Sequence, residues 1–144
     1  MEIGGYSFPD DLYYHKEHFW ARVEGAEVVM GATDFTAKMA GELTYVDVDQ
    51  EGDTVEQGKP FASLESGKWV GRVYAVVSGE IAEANEDLED EPELVNQSPY
   101  AEGWLFKIAP SNLEAELGNL MKAGPEFEAF IKSEIERVNK LLKK

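Results

Sequence analysis

Short apolar runs separated by turn signals occupy most of the first hundred residues, and the pattern then changes to a helical period. Pro9-Asp10-Asp11 marks a turn, and Leu12 to Tyr14 a short strand. His18-Phe19-Trp20-Ala21-Arg22-Val23 reads as a strand, Glu24-Gly25-Ala26-Glu27 as a turn, and Val28-Val29-Met30-Gly31 as the return of a hairpin. Thr33 stands where a helix cap belongs, ahead of Phe35, Met39 and Ala40 on one face, and Gly41 ends that short helix. Leu43-Thr44-Tyr45-Val46-Asp47-Val48 alternates as a half-buried strand. Turn signals then follow at 51–53, 57–60, 66–68 and 77–80, with apolar runs at 61–64, 69–77 and 81–84. Many short strands at close spacing predict an all-β barrel or sandwich.

The acidic stretch 83–93 is expected to be a solvated loop, kept irregular by Pro92 and Pro99. Gly103 to Ile108 is the last predicted strand, stopped by Pro110. Ser111-Asn112-Leu113-Glu114 has capping-box spacing and predicts a helix to about Lys122, which Gly124-Pro125 breaks. From Pro125 to Lys144 the residues Phe127, Phe130, Ile131, Ile135, Val138, Leu141 and Leu142 recur at helical spacing. Lys140, Lys143 and Lys144 suit the negative end of that helix, whose apolar stripe is expected to pack on the β body. The expected organisation is one domain over 1–144, with a β-rich core at 8–109 and a helical extension at 111–144.

Charge changes the picture more than composition does. With 29 acidic against 13 basic residues the formal charge is −16, which disfavours nucleic acid and anionic membranes as partners. There is no cysteine, hence no disulfide, no thiol catalysis and no cysteine metal site. The start Met1-Glu2-Ile3-Gly4-Gly5-Tyr6 lacks the basic and apolar pattern of a signal peptide, and the reading leans to a cytoplasmic protein. Asn96-Gln97-Ser98 matches a glycosylation sequon, but Pro99 follows and nothing else points to secretion.

Candidate chemistry is sparse. His15 and His18 are the only histidines, and on a strand they would face opposite sides, so no metal site is expected. No Gly-x-Ser-x-Gly elbow or phosphate-binding glycine loop occurs, and no catalytic residue is assigned. Lys68 differs. Ser66-Gly67-Lys68 reads as the tip of a β-hairpin between two apolar runs. A lysine there projects into solvent, where it either guards an edge or offers its amine for acylation.

Several pieces resemble the glycine cleavage system H protein family, whose members are lipoyl carriers. Tyr14-His15-Lys16-Glu17-His18, with Trp20 beyond, resembles its N-terminal signature. Gly31-Ala32-Thr33-Asp34-Phe35 is similar to its Gly-Ile-Thr-Asp-Tyr segment. Gly52-Asp53, Val55 and Gly58 match the turn shared by lipoyl and biotinyl domains, and Glu65-Ser66-Gly67-Lys68 aligns with Glu-Ser-Val-Lys. Ser78-Gly79-Glu80-Ile81, Asn85-Glu86 with Leu88, Pro92 to Asn96, Ser98-Pro99-Tyr100 and Gly103-Trp104-Leu105 match later segments. The resemblance runs over about residues 8–130. It implies a mainly β barrel-sandwich hybrid of two small antiparallel sheets with C-terminal helices. It also implies covalent lipoate on Lys68, with Glu65, Ser66 and Gly67 read by the lipoylating enzyme. A biotin carrier shares the fold, but normally has methionines where this chain has Gly67 and Trp69.

The resemblance further implies a non-catalytic carrier, shuttling the aminomethyl group from glycine decarboxylation. Its partners would be glycine decarboxylase, aminomethyltransferase and lipoamide dehydrogenase, with a lipoate ligase or lipoyl transferase to load it. Phe19, Trp69 and Arg72 are expected to border the arm's groove. The chain departs from the family there: acidic residues usual at positions 19 and 72 are Phe19 and Arg72, and Trp69 and Gly71 stand where the family usually has Ala and Ser. A cation at 72 disfavours an ammonium cargo. The alternative is a lipoate-binding carrier for a heterodisulfide-reductase-like sulfur oxidation complex.

Overall fold

A computed structural model describes residues 1–142, with side chains through Lys140. The expected contributions of Leu141, Leu142, Lys143 and Lys144 side chains lie outside the described residues. The elements in chain order are β1 (Glu2–Ile3), β2 (Tyr6–Ser7), β3 (Tyr13–His15), β4 (Phe19–Glu24), β5 (Glu27–Ala32), α1 (Asp34–Ala40) and β6 (Leu43–Val46). There follow β7 (Thr54–Val55), β8 (Pro60–Ser66), β9 (Val70–Tyr74), β10 (Gly79–Ala84), α2 (Asp87–Asp90) and α3 (Leu94–Gln97). The chain continues with β11 (Phe106–Pro110), α4 (Leu113–Leu117), β12 (Met121–Lys122) and α5 (Pro125–Leu142).

Two antiparallel sheets form the body. One has seven strands in the order β12-β3-β4-β5-β11-β10-β7; the other has three, β6-β8-β9. Phe19, Ala21, Val28 and Met30 of the large sheet and Leu43, Val46, Leu64 and Val73 of the small one share a single core. The expected β-sandwich class is therefore what the chain adopts. The alternate residues Tyr14, Trp20 and Val29 point the other way, into a second apolar layer with Phe8, Phe35, Phe127 and Ile131. The middle of the large sheet is thus covered on both faces, so Phe19, Trp20 and Ala21 are all buried.

The second layer depends on α5. Phe127 stacks on Tyr14 at 4.5 Å and meets Phe8 edge-on at 5.1 Å. Ile131 is buried beside them, and Phe130, Ile135 and Val138 are half-buried, so the helix packs its stripe on the sheet as expected.

Two regions differ from the expectation. The stretch 83–93 is not a plain loop. Leu88 and Val95 are wholly buried and pin the one-turn helices α2 and α3, and the acidic residues of α2 face solvent. A single fully buried residue per helix leaves too weak a period to read from sequence. The helix expected from 111 to 122 is also corrected. It spans only Leu113–Leu117, without a side-chain cap bond. Glu116 instead accepts the Ser78 N–H at 2.7 Å and the Ser78 hydroxyl at 2.5 Å, which fastens α4 to the turn before β10. Met121 and Lys122 then pair with Tyr14 and Tyr13 as an edge strand. The segment 111–144 is therefore only partly helical.

Candidate functional site

Ser66 to Trp69 form the tight turn joining β8 to β9, closed by the Ser66 N–H donating to the Trp69 carbonyl at 2.8 Å. Lys68 is at its tip and is exposed. The turn does not stand clear of the body. The Ser66 hydroxyl donates to the Ala40 carbonyl at 2.6 Å, clamping the tip to the end of α1, and accepts the Lys68 N–H at 3.3 Å. The Lys68 stem lies across Gly41, so a Cβ added there would sit 2.7 Å from its Cε. Lys68 is exposed, but it does not stand clear of the body: its stem lies against a glycine.

Gly41 is required twice over. It ends α1 at φ 79°, a conformation that L side chains rarely adopt, and its bare Cα is what the lysine crosses. Gly41→Ala is expected to destabilise the fold by about 1–3 kcal/mol and to displace the Lys68 stem. Urea melts of the two proteins check the first effect. Gly67 carries no such demand: its φ is not positive and a Cβ would meet nothing within 4 Å.

Asn96 holds this corner together. Its Nδ2 donates to the Ala37 and Gly41 carbonyls at 2.9 and 2.7 Å, and its Oδ1 accepts the Leu43 N–H at 2.9 Å. It satisfies orphan carbonyls of α1 and starts β6 with one side chain. In the sequence Asn96 stands only within a family-like segment and a sequon followed by proline. A long-range cap leaves no local pattern to find.

A pocket of about 510 Å³ opens beside Lys68. Tyr6, Phe35, Met39, Trp69, Ile135 and Val138 supply its apolar lining. Lys38 and Arg137 stand at it already paired, with Asp34 at 3.2 Å and Glu134 at 3.0 Å. Lys68 itself takes part in no ion pair among the described residues. Of the expected groove residues, Trp69 lines this pocket and the other two do not. Phe19 points between the sheets and is 2% exposed. Arg72 faces a different cleft, with Asp47, Pro60 and Phe61. Glu65 sits on β8 opposite Val70, and is half-buried.

The histidines support the scaffold. His18, at φ 72° in the turn between β3 and β4, stacks on Phe130 and bonds Glu134 through Nε2 at 2.9 Å. Burial pushes its pKa down, and Arg137 holds the Glu134 carboxyl below its ordinary range, so a neutral ring donating to a carboxylate describes the pair. This bond ties α5, and with it one wall of the pocket, to the large sheet. Among the described residues no three potential metal ligands converge.

His15 predicts an acid limb in stability. Burial lowers its pKa from 6.5 to about 4, and its Nδ1 accepts the Glu17 N–H at 3.1 Å, which a proton there would forbid. Between those pH values the unfolded chain binds the extra proton, so stability present above 6.5 is lost as pH falls towards 4. Urea midpoints measured across that window should fall less steeply in His15→Gln.

The family model of the glycine cleavage H-protein matches residues 12–140. The chain is 45% identical over 92% of its length to a probable glycine cleavage system H protein of Pyrococcus abyssi, covering 98% of that protein. It is 42% identical to the glycine cleavage system H protein of Bacillus licheniformis, over 89% of this chain and 99% of that one. The crystal structure of a glycine cleavage system H protein from Mycobacterium marinum superposes with a TM-score of 0.76 at 30% identity, over 88% of this chain and 99% of that chain. With the sandwich and the lysine-tipped hairpin in place, the chain belongs to the glycine cleavage H-protein family.

Proposed function

We propose that this protein is the non-catalytic lipoyl carrier of a glycine cleavage system, with lipoate joined in amide linkage to Nζ of Lys68. The observation that carries the reading is the turn at 66–69, which offers a lysine in no ion pair among the described residues, beside a mostly apolar pocket. When bound, lipoate supplies a dithiolane that takes up the aminomethyl group left by glycine decarboxylation and yields it to the next enzyme. The protein's own share is positional. Ser66 holds the tip on α1, Asn96 fixes the end of α1 and the start of β6, and Tyr6, Phe35 and Met39 offer an apolar wall that limits water around a docked arm. Glu65, Ser66 and Gly67 are the residues we assign to recognition by the lipoate ligase or lipoyl transferase. Tethering gives each partner a high effective concentration of the same group. The partners are a glycine decarboxylase, an aminomethyltransferase and a lipoamide dehydrogenase.

The sulfur-carrier alternative requires Phe19 and Arg72 to face the cargo, and neither lines the pocket beside Lys68. Loading tests the choice. Lipoylated protein incubated with glycine and a glycine decarboxylase should gain one aminomethyl mass with release of carbon dioxide. Lipoylated protein that stays unloaded would refute the glycine reading.

A further inference from the structure

Trp69 has an unusual seat. Gly71 pairs with the wholly buried Leu64 across β8, so a side chain at 71 would point towards the core between the sheets. The Trp69 ring occupies that place instead: Cη2 and Cζ2 lie where a Cβ on Gly71 would be. No other residue at 71 leaves the ring where it is. The indole therefore packs on the core and, at the same time, lines the pocket next to Lys68. The pocket's other walls include Ile135 and Val138 of α5. A polarizable aromatic face within reach of a tethered dithiolane is a site for sulfur–aromatic contact.

We propose that Trp69, seated on Gly71, is a positioning residue for the lipoyl arm, holding the dithiolane in the pocket between the hairpin tip and α5. The proposal rests on the carrier reading, and requires Gly71 as much as Trp69. It predicts that the docked dithiolane quenches Trp69 and is shielded from small reductants. The other tryptophans give a steady background, since Trp20 is wholly buried in the second layer and neither it nor Trp104 lines this pocket.

The test uses full-length protein, lipoylated by a lipoate ligase, with loading read by intact mass. Indole emission should fall on lipoylation of the wild type, and that fall should vanish in Trp69→Phe. A water-soluble phosphine, consuming water and leaving phosphine oxide and a dithiol, should reduce the arm about two- to ten-fold faster in Trp69→Ala. That range corresponds to the roughly 0.3–1.5 kcal/mol of a sulfur–aromatic contact. The chain has no cysteine, so every thiol that then appears belongs to the arm. Gly71→Ala keeps Lys68 between its native neighbours but dislodges the indole, and should reproduce both losses. Wild-type quenching in lipoylated Trp69→Phe, or wild-type reduction rates in lipoylated Trp69→Ala or Gly71→Ala, would overturn the proposal. A wild-type chain that gains no lipoyl mass would instead overturn the carrier reading beneath it.

Discussion

Lys68→Arg should gain no lipoyl mass under conditions in which the wild-type chain gains one. Arginine preserves the positive charge and the long stem, so the fold should change by no more than about 0.5 kcal/mol. It removes the one feature that acylation needs, an amine able to lose its proton. The other lysines serve as internal controls. Lys38, Lys59, Lys107 and Lys132 are paired with carboxylates at 3.2, 2.6, 3.6 and 3.0 Å. Glu56 raises the Lys59 pKa, which makes its free amine scarcer still. Lys122 lies over the Tyr13 ring at 4.4 Å. None of these is at the tip of a tight two-stranded turn; Lys16 is, between β3 and β4, but it does not line the pocket beside Lys68. Intact mass before and after incubation with ligase, ATP and lipoate reads the result directly. A lipoyl mass on the variant would show that the site lies elsewhere.

Phe127→Ala should be the most damaging of the substitutions considered. Phe127 is 2% exposed and meets Tyr14 and Phe8 as an aromatic trio. Truncating a buried phenylalanine costs about 3–5 kcal/mol through lost transfer energy and the cavity left behind. The damage reaches the pocket as well. Ile135 and Val138 lie farther along the same helix, and Phe127 and Ile131 are its buried anchors. Denaturant midpoints should drop accordingly, and limited proteolysis should cut within 125–142 before the body. Lipoylation of the hairpin should persist, because Ser66 binds α1 and not α5. Retained protection of α5 would show that the helix is held by other contacts, the His18–Glu134 bond first among them.

Most of the architecture is legible because it repeats locally. Short apolar runs bounded by glycine and acidic turns mark β4, β5 and β8, alternation marks β6, and the helical stripe after Pro125 marks α5. The cap of α1 is local too, with Thr33 accepting the Thr36 N–H at 3.4 Å. What escapes is long-range. That Phe19 faces the sheet interior and Trp20 the helix layer follows from parity once both faces are known to be covered, and β4 alone cannot say which face holds the pocket. The same holds for Arg72, whose outward position on β9 sends it to another cleft. Ser111 and Glu114 have the letters of a capping box, but the bond that matters is Glu116 to Ser78, far apart in sequence. At the site, Lys68 is readable from its turn, whereas Asn96, Gly41 and the Trp69–Gly71 seat depend on segments brought together by the fold.

The pairing of Met121 and Lys122 with β3 gives the C-terminal segment a second duty. Those two residues occupy an outer edge of the large sheet, next to the strand that carries Tyr14. A chain shortened before Met121 would not merely lose a helix. It would leave the backbone donors and acceptors of β3 open beside a stripped aromatic layer, a template for strand addition by another copy. The tail thus covers an edge that would otherwise be open to strand addition, a protection that acts through backbone pairing and is separate from the charge of −16.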